Sequence, residues 1–192
     1  ATYGGEPFAL KPHFERLKRS LAALSLSLDI NAYGLEALIR EGLEYADFDE
    51  TLVYVQITRG VAPRHHEFPI APVDPTVVMT FKRLYRIPQA HYERGVAVIS
   101  TPDERWQRCD IKTIALLPNV LAKQQARTEG AFEALLVDGK GRVTEGSSTS
   151  VFCVVDGIVH TTPEGPHILP SITRGQLLEL AHELGLPVVE DF

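Results

Sequence analysis

The second half of this chain is cut into short β-type runs by turn signals, and that punctuation narrows its possible folds more than any other feature. The runs cover residues 96–100, 108–112, 133–138, 142–144, 150–155 and 158–161. Asp138-Gly139-Lys140-Gly141 and Asp156-Gly157 fall between the later runs, where Asp and Gly tolerate the backbone of tight turns. Helical stretches interrupt at about 118–129 and 172–184, each followed by a glycine, Gly130 and Gly185. The pattern predicts a strand-rich α+β domain.

The first part reads differently. Residues 1–10 predict a short strand or hairpin turning at Gly4-Gly5. Pro12 suits the first turn of a helix, and Phe14, Leu17, Leu21, Leu24 and Leu28 recur at amphipathic-helix spacing. Asn31 is a good N-cap for a second helix through Leu35, Leu38, Ile39 and Leu43. Strands are expected at 52–58 and 76–84, separated by a Pro- and His-bearing loop from Arg59 to Pro72. The pattern breaks near Arg86-Ile87-Pro88-Gln89. The expected organisation is a small α/β domain at 1–86, a linker at 87–90 and a larger domain at 91–192. The opening without Met and the strand-like run at Val188-Val189-Glu190 both read like fragment boundaries.

Composition restricts the partners. Of 192 residues 44% are hydrophobic and 23% charged, as in ordinary globular proteins, and the net charge of −6 argues against nucleic acid or an anionic membrane surface. No apolar run approaches the roughly 20 residues of a membrane span. Two cysteines, Cys109 and Cys153, are too few for a disulfide framework or metal cluster. They are expected to be buried thiols, with the cytoplasm as the default compartment.

Four segments carry candidate chemistry. Lys112 stands at the mouth of the apolar run Ile111–Leu117. Burial would lower its pKa and make it a usable neutral amine, although a strand-end lysine can also snorkel to water. Thr144-Glu145-Gly146-Ser147-Ser148-Thr149-Ser150 lies between two strands; its backbone and hydroxyl donors could face one anion, or it is a polar turn. Glu145, if buried, needs a cation or an N–H partner. Ser171-Ile172-Thr173-Arg174 opens a helix, where unpaired N–H groups and the helix dipole favour an anion, though Ser171 also serves as an ordinary cap. Arg64-His65-His66 lacks a third metal ligand and better suits a carboxylate, unless it is simply a solvated loop. Arg16, on the polar side of the first helix, reads as a surface arginine. No Gly-rich nucleotide loop or G-x-S-x-G elbow is present.

In their order and spacing, Arg108-Cys109-Asp110-Ile111-Lys112, Asn119-Val120-Leu121-Ala122-Lys123-Gln124, Thr144-Glu145-Gly146-Ser147-Ser148 and Ile168-Leu169-Pro170-Ser171-Ile172-Thr173-Arg174 resemble the class IV aminotransferases. These are pyridoxal 5′-phosphate enzymes of fold type IV, with a small α/β domain and a larger strand-rich pseudo-barrel domain. Within that family, Arg59-Gly60-Val61-Ala62-Pro63-Arg64-His65-His66 is similar to the signature of the D-amino acid aminotransferases.

The resemblance implies transfer of an amino group between a D-amino acid, such as D-alanine, and 2-oxoglutarate or pyruvate. It implies Lys112 as the Schiff-base and proton-shuttling residue, and Glu145 as partner of the pyridine nitrogen. Arg16, Ser148, Ile172 and Thr173 would hold the phosphate, and Leu169 would pack on the ring. Arg64 and His66 would grip the substrate α-carboxylate from the other subunit of a homodimer, and no metal is called for. A branched-chain L-aminotransferase, an aminodeoxychorismate lyase or an inactive cofactor-binding fragment on the same scaffold are the alternatives. Relatives carry a carboxylate-pocket tyrosine ahead of the position of Ala1, a residue that Tyr3 does not replace. They also continue past Phe192, which again suggests a chain shortened at both ends.

Overall fold

A computed structural model describes residues 1–191. Contacts divide the chain into two compact units, Ala1–Arg86 and a second beginning at Ile87.

In the first unit a hairpin forms from β1 (Thr2–Tyr3) and β2 (Glu6–Pro7). Gly4 and Gly5 make its turn at φ 57 and 82. Two helices follow, α1 (Leu10–Ala23) and α2 (Leu35–Glu44), and then β3 (Thr51–Thr58) pairs with β4 (Thr76–Arg83) along their whole length. Alternation on β3 sends Val53, Val55 and Ile57 to the core, where Leu21, Leu26, Ile30, Leu35 and Ile39 are buried. Each such side chain contributes roughly 1.5–3 kcal/mol by leaving water. Gly42 lets the Phe81 ring press onto α2, because a Cβ there would lie 2.1 Å from Phe81 Cζ.

The second unit opens with α3 (Gln89–Arg94) and β5 (Val98–Pro102). Next come α4 (Leu117–Thr128), β6 (Glu133–Val137) and β7 (Val143–Gly146). β5 and β6 are parallel and joined through α4, while β7 returns antiparallel to β6. Ala122 and Ala126 of α4 pack on Ala134 and Leu136 of β6, small residues that let the helix lie close to the sheet. A second sheet pairs β8 (Phe152–Val155) antiparallel with β9 (Ile158–Thr161). Beyond α5 (Ile172–Glu183), β10 (Val188–Glu190) adds to β9 in parallel.

Several expectations need correction. Residues 108–112 form no strand; they are a turn-rich loop ahead of α4, in which Arg108 pairs with Asp110 and Cys109 N–H donates to Pro166 O at 2.8 Å. The Cys109 and Ile111 N–H groups find their acceptors in Pro166 O and Arg108 O, both outside any strand. Gly34, not Asn31, stands at the N-cap of α2, because Asp29 Oδ1 gathers the Asn31 and Ala32 N–H groups into a preceding turn. The expected linker at 87–90 overlaps α3. Cys109 is half-buried and Cys153 is exposed on β8, so neither is the buried thiol expected. Among the described residues no helix is long and apolar enough to cross a membrane, and no His, Cys, Asp and Glu cluster could hold a metal ion.

Candidate active site

The second unit gathers its candidate chemistry at the end of β7. Glu145 is buried there at 9% exposure, which costs a carboxylate its hydration unless donors replace it. Two groups do. Arg105 Nη1 donates to Glu145 Oε1, and Leu169 N–H donates to Glu145 Oε2 at 3.2 Å. A buried Glu145 needs a cation or an N–H partner, and it has one of each.

Arg105 is itself 5% exposed, and its guanidinium is fully engaged. It donates to Asp103 through Nε (2.9 Å) and Nη2 (2.7 Å), to Thr144 Oγ1 at 3.3 Å and to His167 O at 2.9 Å. Thr144 Oγ1 donates to Asp103 Oδ2 at 2.7 Å. Burial works against the charge on Arg105, but Asp103 and Glu145 hold its proton above the ordinary arginine range. Burial likewise opposes ionisation of Asp103, yet hydrogen bonds from Arg105 and Thr144 draw it below the usual carboxylate range. Glu145 moves upward because burial dominates, with Arg105 and Leu169 offsetting only part of it. The result is a buried carboxylate that gives up its proton less readily than an exposed glutamate.

Two further contacts bind this centre to the loop of Lys112. His167 O accepts from Arg105, and Pro166 O accepts from Cys109 N–H, so the 166–169 segment runs between Glu145 and that loop. Within the loop Ile111 is buried at 6% exposure, while Lys112 is exposed. The apolar flank therefore anchors the loop rather than enclosing the amine. The burial expected at Lys112 falls instead on its neighbour Ile111.

The Ser147–Thr149 turn also departs from expectation. Its hydroxyls do not face an open anion site. Ser147 Oγ, Ser148 Oγ (2.9 Å) and Thr149 Oγ1 (3.1 Å) all donate to Glu133, which also accepts Ala134 N–H at 2.9 Å and pairs with Lys123 at 3.3 Å. Glu133 is buried at 4% exposure, so its carboxylate requires these donors. Burial alone would raise its pKa, but the Ser147, Ala134 and Ser148 hydrogen bonds lower it. Asn119 Nδ2 donates to Ser147 O at 2.8 Å, one helical turn from Lys123 on α4. The Asn119–Gln124 motif thus fastens the turn beside Glu145.

At the other candidate anion site, Ser171 caps α5 by accepting Arg174 N–H at 3.2 Å. Ile172 and Thr173 form the first turn of that helix, with Thr173 exposed. Arg174 is 2% exposed and donates to Thr162 O at 2.9 Å and to Glu190, tying the helix start to the residue after β9 and to β10.

Arg16, Arg64 and His66 belong to the first unit. Arg16 is 9% exposed on α1, not the surface arginine its helical position suggested. Burial and the nearby Arg19 draw it below the usual arginine range. Arg64, His65 and His66 are exposed in the loop joining β3 to β4.

Sequence reasoning missed Arg105, Asp103 and Glu133. The first two are plain charges in Pro102-Asp103-Glu104-Arg105-Trp106, with nothing local to mark them. Glu133 did carry a signal, as a carboxylate heading the apolar run Ala134–Val137.

The family model described as amino-transferase class IV matches residues 1–192. A D-alanine aminotransferase of Staphylococcus epidermidis is 41% identical over 189 residues, covering 98% of this chain and 66% of that protein. The chain thus spans about two thirds of the length of such relatives. Among solved structures, a branched-chain aminotransferase from Thermoproteus uzoniensis superposes with a TM-score of 0.80 at 25% identity, covering 100% of this chain and 66% of that one. A 4-amino-4-deoxychorismate lyase from Pseudomonas aeruginosa gives a TM-score of 0.85 at 24% identity over 98% of this chain and 69% of that one, a likeness of fold alone. The chain belongs to the class IV aminotransferases, a family whose cofactor is pyridoxal 5′-phosphate.

Proposed function

We propose that this protein transaminates D-amino acids, D-alanine among them, using a 2-oxo acid such as 2-oxoglutarate or pyruvate as acceptor. The observation that carries this reading is the buried carboxylate of Glu145, held by Arg105 and the Leu169 N–H. A carboxylate shielded from water at this position can stabilise the positive charge of a protonated ring nitrogen. The similarity to D-alanine aminotransferases, together with Pro63-Arg64-His65-His66, supports the D-amino acid branch.

The residues fit the cofactor by the chemistry of their donors. When bound, pyridoxal phosphate supplies a carbonyl that condenses with amines and a ring that withdraws electrons from the substrate Cα. In this reading Lys112 holds the cofactor through Nζ and then moves a proton at the substrate Cα. Glu145 keeps the ring nitrogen protonated, and Leu169 packs against the ring while its N–H steadies Glu145. Ile172 and Thr173 bind the phosphate at the α5 N-terminus, where helix N–H groups and dipole favour an anion. Arg16 adds a cation. The Ser148 hydroxyl is committed to Glu133, so its share in phosphate binding falls to its backbone N–H. Arg64 and His66 bind the α-carboxylate from the other subunit of a cytoplasmic homodimer, bidentate donors beside an imidazole N–H.

The test uses purified protein with added pyridoxal phosphate. A near-visible absorbance band is expected, lost in Lys112→Ala, and bleached by D-alanine but not L-alanine. Bleaching by L-alanine instead would overturn the D-specific reading and favour an L-amino acid enzyme on this fold. A band surviving in Lys112→Ala would remove that lysine from its role.

A further inference from the structure

Arg64 and His66 sit on a loop, residues 59–75, that has no strand or helix of its own between the last β3–β4 pair, Thr58 and Thr76. A loop of this length has many conformations to lose, whereas gripping a carboxylate demands placement within about half an ångström. Something must hold it.

The base of the loop is fixed in three ways. Gly60 has φ +103, and a Cβ there would lie 2.1 Å from Asp74 O and 2.7 Å from Val73 Cγ1, so the two arms pass at a distance only glycine allows. Arg59, the first loop residue, donates through Nη1 to Ser25 O at 2.9 Å and through Nη2 to Leu24 O at 2.5 Å. α1 ends just before these carbonyls. Ser25 takes a left-handed backbone (φ 51), with Ser25 N–H bonded to Ala22 O and Leu26 N–H to Leu21 O, which leaves the following carbonyls pointing outward. The guanidinium meets them at the negative end of the helix. Its carbon also lies 3.7 Å from the centroid of the Phe68 ring. Phe68 follows His66 by two residues and is 58% exposed, so the cation, not the hydrophobic core, is its main support. One side chain thereby joins the entry of the loop, its far arm and the end of α1.

We infer that Arg59, with Phe68, is a positioning residue that sets where Arg64 and His66 are presented to the substrate α-carboxylate. The inference rests on the reading of Arg64 and His66 as the carboxylate grip. Both the amino acid and the 2-oxo acid carry that carboxylate, so both are affected. The core of Leu21, Leu26, Ile30, Leu35 and Ile39 does not include Arg59 or Phe68, so replacing either leaves no cavity in that core.

Steady-state kinetics on Arg59→Met, Arg59→Lys, Phe68→Leu and Arg64→Ala test it, together with the cofactor band and melting temperature of each. Arg59→Met is expected to lower kcat/KM for D-alanine and for the 2-oxo acid roughly 10- to 100-fold, carried by KM, with the band and melting temperature retained. Arg59→Lys should recover part of the loss. Phe68→Leu should cost about 2- to 5-fold, and the Met/Leu double variant should be no worse than Arg59→Met, since both remove one contact. KM within about twofold of the parent in Arg59→Met, beside a crippled Arg64→Ala, overturns the inference alone. Joint loss of kcat, band and melting temperature in Arg59→Met makes Arg59 merely structural and also overturns it. Unaltered KM in Arg64→Ala overturns the carboxylate reading and this inference together.

Discussion

Arg105 and Glu145 form a buried ion pair, 5% and 12% exposed at the side chain, and the arginine of that pair spends its remaining donors on Asp103, Thr144 and the carbonyl of His167. Such a pair adds little net stability over apolar residues, but removing one partner strands the other charge. Arg105→Met should therefore lower unfolding free energy by roughly 3–5 kcal/mol, read from the denaturant midpoint. Arg105→Lys should recover only part of it, because a single ammonium cannot replace a planar fork bonded on four sides. Parental stability in Arg105→Met would refute the role given to this network.

Glu145→Gln separates the chemistry of that carboxylate from its packing. The amide keeps the shape and can still accept the Leu169 N–H, but it no longer holds a proton on a basic nitrogen. Cofactor binding and the Lys112-dependent absorbance should persist while kcat falls by about 10²-fold or more, the scale of losing one charge-stabilising group. Near-parental kcat would deny Glu145 its function.

Much of this was legible because the informative residues were local. Lys112, Glu145, Ser171 and the Arg64–His66 tip each announce themselves within a few neighbours, as do the hairpins at Gly4-Gly5 and Asp156-Gly157. The supports were not legible, because they act over long separations. Arg105 reaches Glu145 across 40 positions, Glu133 reaches Ser148 across 15, and Arg59 reaches Leu24 across 35. The misjudged strand at 108–112 has the same origin: its apolar spacing is real, but Ile111 uses it to anchor a loop.

Acid stability should carry the mark of Glu133. Its pKa is depressed in the folded state, so the stability it contributes is fully present above its unfolded value near 4.5 and is lost as pH falls through the lower folded value. Glu145 runs the other way, because its raised pKa means that protonation on acidification relieves a cost. In Glu133→Gln the hydroxyls of Ser147, Ser148 and Thr149 and the Lys123 ammonium lose their common anion. The stability gap between parent and variant should be widest above pH 4.5 and should narrow below it, followed by urea midpoints at a series of pH values. A gap independent of pH would show that the charge of Glu133 is not what holds the turn.

Gly146 links Glu145 to the turn of Ser147–Thr149. A Cβ at this position would lie 2.1 Å from Thr149 Oγ1 and 3.2 Å from both Glu133 Cγ and Thr149 O. Gly146→Ala must therefore push Thr149 aside, breaking its bond to Glu133 and crowding the carbonyl that accepts Gly146 N–H at 2.7 Å. Overpacking of this kind costs about 1–3 kcal/mol. Trimming Thr149 to alanine removes the nearest clash but not the carbonyl contact, so Gly146→Ala with Thr149→Ala should be less unstable than the sum of the two single variants. Strict additivity in thermal or urea unfolding would mean that the clash lies elsewhere.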